Sequence, residues 1–79
     1  MVTQGCVVVT AEMRTAGSVT VSPGNTPIMG TAQSRRTATI LGRSRIVTKE
    51  LTLSVVGTDL VINLAGTYAG DAVCWTAYD

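Results

Sequence analysis

Basic side chains in the middle of the chain have the most evident capacity to bind a charged partner. Five of the six basic residues in the sequence fall within one short segment: Arg35, Arg36, Arg43, Arg45 and Lys49. Guanidinium groups bind carboxylates and phosphates through paired hydrogen bonds, and lysine adds a point charge. No acid lies between Met13 and Lys49, whereas residues 50–79 carry four acids and no base. This segregation of charge favours contact with copies of the same chain or with an oppositely charged partner.

The basic segment has three interpretations. The first is a contact in a protein assembly, and the second is a solvated hairpin whose charges prevent wrong edge pairing. The third is binding to the phosphates of a nucleic acid. This third interpretation carries less weight, because the segment holds no aromatic side chain to stack on a base and the net charge is only +1.

Two cysteines, Cys6 and Cys74, lie near opposite ends of the sequence. They would form a disulfide if the first and last strands were neighbours, and the bond would then close a long loop. The alternative is a pair of buried free thiols, as is common in intracellular proteins. The free thiols are favoured, because nothing in the sequence indicates an oxidising compartment.

Catalytic chemistry has little support in the sequence. There is no histidine, so the commonest general base near neutral pH and the commonest metal ligand are both missing. The acids are widely spaced, and no phosphate-binding glycine loop, CxxC pair or nucleophile elbow is present. We therefore predict a protein that is not an enzyme and that has no metal site, no cofactor and no small-molecule substrate.

The stretch from Glu50 to Gly66 has the clearest structural pattern. Its aliphatic residues alternate with mostly polar ones on both sides of a Gly57-Thr58 break. Period-two alternation is typical of half-buried strands, and Gly at the first central position suits a type II′ hairpin turn. A two-residue loop pairs the aliphatic residues as Val55–Leu60, Leu53–Ile62 and Leu51–Leu64. These six side chains, with Trp75, are the predicted core.

The basic segment predicts a second hairpin, in which strands 36–41 and 44–49 flank a Gly42-Arg43 loop. In that register Arg36 opposes Lys49 and Arg35 opposes Glu50. Arg36, Arg45 and Lys49 then share one face. Neither face is cleanly apolar, unlike that of the hairpin at 50–66.

The remaining segments predict further short strands. Val2–Met13 is predicted as the first strand, and a helical turn over Thr10–Thr15 is disfavoured for want of a cap. The other strands are predicted at Ser18–Ser22, Ile28–Ala32 and Ala72–Tyr78. Several short strands without helical periodicity indicate one all-β domain over residues 1–79, a small sandwich or barrel of six to eight mainly antiparallel strands.

Composition favours self-association. Charged residues make up 14% of the chain, below the roughly 25% of typical soluble domains. We predict a structural module that forms homo-oligomers or docks on a larger shell or fibre, and bacteriophage capsid decoration proteins and tail-fibre modules are analogues in size and texture. A nucleic-acid-binding β-barrel using the basic segment is the alternative. A carbohydrate-binding module using Trp75 or Tyr68 is a weaker third.

Hydropathy predicts no membrane-spanning segment, since there is no apolar run of about 18 residues. No basic region precedes the first apolar run, so a signal peptide is not predicted either. A virion or cytoplasmic location is the expectation that follows.

Overall fold

Two antiparallel sheets pack face to face in the computed structural model, which describes every residue from Met1 to Asp79. The strands are β1 (Val2–Val8), β2 (Ser18–Val21), β3 (Met29–Ile40), β4 (Arg43–Leu51), β5 (Leu53–Val56), β6 (Asp59–Asn63) and β7 (Ala72–Tyr78). One short helix, α1 (Ala11–Ala16), connects β1 to β2. The prediction of an all-β sandwich or barrel with six to eight mainly antiparallel strands is confirmed, and of the two architectures the protein has the sandwich.

The strand order is β1-β7-β3-β4 in the larger sheet and β2-β6-β5 in the smaller. Between them lies a core of eight buried hydrophobic residues: Val9, Val21, Ala32, Leu60, Ile62, Leu64, Val73 and Ala77. Leu51, Leu53, Val55 and Trp75 are partly buried and pack against this core. None of these side chains is a phenylalanine, so small aliphatic groups supply most of the burial.

The β5–β6 hairpin has the register that alternation predicts. Leu53 pairs with Ile62 and Val55 with Leu60, and Gly57 has the positive φ of 62° that the predicted turn requires. The predicted Leu51–Leu64 pair is wrong. Leu51 instead ends β4 opposite Ala32 in the larger sheet, because the chain passes from one sheet to the other at Thr52.

The first strand is shorter than predicted, and the disfavoured helical turn is present. β1 ends at Val8, and α1 begins after Thr10, whose side-chain oxygen accepts a hydrogen bond from the Met13 amide. Thr10 is therefore the N-cap that the sequence analysis overlooked. Gly17, at φ 84°, ends the helix in the left-handed conformation.

The β3–β4 hairpin is real, but its predicted register is shifted by two residues. Its loop is Leu41-Gly42 rather than Gly42-Arg43, so Ile40 pairs with Arg43 and Arg36 with Val47. Arg35 pairs with Thr48, so the predicted Arg35–Glu50 pair is also wrong. A shift of two keeps each side chain on its face. β3 is also one continuous strand from Met29 to Ile40, longer than the separate short strands predicted.

The first and last strands are neighbours in the larger sheet. Cys6 lies directly opposite Cys74, and the structure joins them by a disulfide with a Cα–Cα distance of 4.0 Å. Cys6 is exposed and Cys74 half-buried, so the bond lies on the outer face of the sheet. It links residues 68 positions apart in the sequence.

Candidate interaction surface

The β3–β4 hairpin projects beyond the rest of its sheet. The last β3 residue that pairs with β7 is Arg35, opposite Ala72, so residues 36–47 form a two-stranded arm with no third strand. At about 3.3 Å per residue, the five residues from Arg36 to Ile40 extend it by roughly 17 Å. No residue between Arg35 and Asp59 is buried. The arm therefore adds surface to the molecule and nothing to its core.

The two faces of the arm carry different side chains. Arg36, Arg43 and Arg45 share the face that continues the core side of the sheet, while Arg35 and Ile46 lie on the outer face. Three large aliphatic side chains are also exposed on the arm: Ile40 at 45%, Ile46 at 64% and Leu41 at 97%. Exposed aliphatic groups among arginines are typical of contact surfaces rather than of solvated hairpins.

The turn at the end of the arm has an unusual residue. Leu41 and Gly42 both have positive φ, at 54° and 76°, the combination that defines a type I′ hairpin turn. Leu41 is the only residue other than glycine with positive φ in the chain. Leucine adopts this conformation at a cost, since its Cβ crowds the backbone there. The sequence thus holds its most exposed aliphatic side chain on a turn that asparagine would form more readily.

An aromatic residue joins the basic segment from outside it. The guanidinium of Arg36 lies 4.2 Å from the centre of the Tyr68 ring, and that of Arg14 lies 5.7 Å from it. Tyr68 belongs to the β6–β7 loop and is 52% exposed. Its backbone amide donates to the Asp71 carboxylate, which fixes the loop. Sequence analysis missed this contact, because the loop reaches the arm only through the packing of the two sheets.

The five predicted basic residues do not form one cluster. Arg36, Arg43 and Arg45 share a face of the arm, and Arg35 sits at its base on the other face. Lys49 lies away from the arm, where its ammonium donates to the Ala65 carbonyl oxygen at 3.3 Å. Lys49 therefore fastens the β6–β7 loop to β4.

Trp75 packs differently from an exposed sugar-binding platform. It is half-buried against the core, and its ring covers Gly5 on the neighbouring strand, where a Cβ would lie 2.7 Å from Cζ2. The contact requires glycine at position 5, and the ladder runs through Gly5 without a bulge.

No group of three or more Cys, Asp or Glu side chains is placed to hold a metal ion. No helix has the length and apolar character needed to cross a membrane. No protein-family model, curated protein or solved structure matches the chain.

Proposed function

We propose that the protein is a non-enzymatic assembly module that binds copies of itself through the arm. The observation that carries this proposal is the set of exposed aliphatic side chains on the arm, Ile40, Leu41 and Ile46. None of them belongs to the core or packs against it, and full burial of one such side chain at a contact contributes up to about 1.5–3 kcal/mol. Burial of these apolar side chains between copies removes them from water, which lowers the free energy of the assembled state.

The small core supports the same conclusion. Only eight hydrophobic residues are buried, and a domain of this size has limited stability when it stands alone. Association buries further apolar surface and adds to the stability of the folded state. The low charged fraction of 14% fits a surface of which part is covered by other copies.

The larger structure that we propose is a shell or fibre of the capsid decoration or tail-fibre type. Small size, an all-β sandwich and a projecting contact arm suit a repeating unit in such an assembly. This extension rests on those three features alone, by analogy with modules of the same class.

Light scattering at low and high salt tests self-association. The expected result is an average mass well above the 8.2 kDa of one chain. The variant Leu41→Asn/Ile46→Thr removes two aliphatic contacts, and Asn and Thr suit the turn and the strand respectively. We expect it to be monomeric, while the matched control Thr20→Asn, on an exposed β2 position, associates like the unmodified protein. A monomer at both salt concentrations contradicts the proposal.

Nucleic-acid binding is the second candidate, and one observation favours it. Tyr68 supplies an exposed ring beside Arg36, and aromatic rings next to arginines bind single-stranded bases by stacking. The exposed aliphatic side chains of the arm, Ile40, Leu41 and Ile46, have no role in this alternative. The three arginines of the arm, Arg35 at its base and the Tyr68 ring would form the whole site.

Anisotropy of a fluorescein-labelled oligothymidylate separates the two candidates. Binding through Arg35, Arg36, Arg43 and Arg45 should weaken with salt at a log–log slope of about −3, and their joint replacement by alanine should abolish it. The Leu41→Asn/Ile46→Thr variant should bind as tightly as the unmodified chain. Binding that persists without the arginines would exclude this site.

A further inference from the structure

We propose that self-association is head to tail, with the arm of one copy on the opposite end of the next. This inference rests on the proposed function, self-association, and adds the surface that receives the arm. The head is the end formed by the arm, α1 and the loop at 64–71. The tail is the opposite end. It is formed by the loop at 22–28, the turn at 57–58, the first residues of β1 and β3, and the last residues of β7.

Strand directions place these segments at opposite ends. β3 starts at Met29 beside Tyr78 and ends at the arm, and β7 starts beside Arg35 and runs back to Tyr78. In the smaller sheet, Val21 at the end of β2 pairs with Leu60 next to the 57–58 turn. Ser22 then donates to Asp59 at 2.8 Å. The molecule extends over 44 Å along its longest axis.

All large hydrophobic side chains that are exposed lie at one end or the other. At the head they are Val8, Ile40, Leu41, Ile46 and Tyr68. At the tail they are Met1, Val2, Ile28, Met29 and Val56. Ile28, in the 22–28 loop, is 78% exposed, and Val56, directly before the 57–58 turn, is 59% exposed. Both ends thus present apolar surface, and the two lateral faces present none of it.

Charge is also unevenly distributed along this axis: basic groups predominate at the head and carboxylates at the tail. All five arginines lie at the head, where they outnumber its two acids, Glu12 of α1 and Asp71 of the 64–71 loop. The tail has the carboxylates of Asp59 and Asp79 and neither arginine nor lysine, and the only cation beside them is the amino group of Met1, which pairs with Asp79.

This distribution selects head to tail over the symmetrical alternatives. A head-to-head contact would bring two sets of arginines together, and like charges oppose such a contact. A head-to-tail contact pairs arginines with carboxylates around apolar centres. Because each copy keeps one free head and one free tail, the contact repeats and gives a ring or a filament.

The test uses one variant for each end. The head variant is Leu41→Asn/Ile46→Thr and the tail variant is Ile28→Thr/Met29→Thr. All four positions are exposed, so the sandwich should remain folded, and circular dichroism checks this. Each substitution pair should weaken the contact at least about tenfold. The control is Thr20→Asn on a lateral face, which should associate like the unmodified chain.

Mixing the two variants gives the decisive measurement. Each variant alone should be a monomer by light scattering. An equimolar mixture should form a dimer and stop there, because one intact head meets one intact tail and no further contact is available. Raising the salt concentration should weaken the dimer, since exposed charge pairs are screened.

Failure of this inference is distinguishable from failure of self-association. A tail variant that assembles like the unmodified chain overturns the head-to-tail contact and leaves self-association intact. A mixture that stays monomeric also overturns it. An unmodified chain that is monomeric at every concentration and salt overturns both proposals.

Discussion

At the scale of single residues, Leu41 shows a conflict between local preference and position. A type I′ turn favours asparagine followed by glycine, and the chain has leucine followed by glycine. Strained conformations of this kind persist where the surrounding structure enforces them, and they cluster at sites of function. The strained Leu41 lies at the end of the arm, where its side chain is exposed and no packing within the chain enforces its φ. We therefore expect the side chain to offset this strain through a contact with another molecule.

Replacing Leu41 by asparagine should therefore stabilise the isolated chain while weakening association. Asparagine tolerates positive φ, so the free energy of unfolding should rise by about 0.5–1 kcal/mol. Urea unfolding of monomer at low concentration measures this. Leu41→Ala is the matched control, because it removes the same aliphatic contact but keeps the unfavourable φ. Equal stability of the two variants would contradict the strain at Leu41.

Gly5 makes a second prediction at this scale. A Cβ at position 5 would lie 2.7 Å from Cζ2 of Trp75, so Gly5→Ala must displace the indole. The expected loss is about 1–3 kcal/mol of unfolding free energy, with a shift in tryptophan fluorescence. In a Trp75→Leu background the same substitution should cost clearly less. An identical cost in both backgrounds would show that the ring is not the obstacle.

At the scale of elements, the disulfide joins β1 to β7 across the outer face of the larger sheet. It closes a loop of 68 residues, which the chain-entropy model values at about 4 kcal/mol. Reduction with dithiothreitol should lower the unfolding free energy by about 2–4 kcal/mol. The Cys6→Ser/Cys74→Ser variant should match the reduced protein and should not respond to dithiothreitol. If dithiothreitol also destabilises that variant, the loss of stability does not come from reduction of the disulfide.

The two hairpins show what sequence can predict about strand pairing. Alternation put six aliphatic residues on one face of 51–64, and Gly57 marked the turn, so the β5–β6 register followed. In β3–β4 both faces mix arginine, threonine and aliphatic side chains. No apolar face fixed that register, and the turn uses Leu41 against its preference. A shift of two residues was the result, with each side chain still on the correct face.

The other differences come from contacts that local pattern does not contain. Helix α1 spans six residues, too few for a 3.6-residue period to emerge, and only the Thr10 cap marks it. Tyr68 meets Arg36 across 32 positions of sequence. Such a contact depends on where the β6–β7 loop lies after the sheets have packed, and composition gives no sign of that.

At the scale of the whole molecule, the arm and the sandwich are separable. Every buried residue lies outside the stretch from Arg35 to Asp59, so the core does not depend on the arm. Arg36 and Val47 are directly opposed, four ladder steps from the pair that flanks the present turn. Hydrogen-bonded and non-hydrogen-bonded pairs alternate along an antiparallel ladder. A two-residue turn can therefore close at Arg36 and Val47 as it does at Ile40 and Arg43.

Replacing residues 37–46 by Asn-Gly should leave a folded sandwich that no longer associates. The shortened hairpin keeps every buried side chain and the Arg36–Tyr68 contact, so cooperative unfolding and the Cys6–Cys74 bond should be retained. Light scattering should give a monomer. Mixed with the tail variant, which has an intact head, the shortened chain should form a dimer through its intact tail. A shortened chain that assembles alone would show that the arm does not carry the contact between copies.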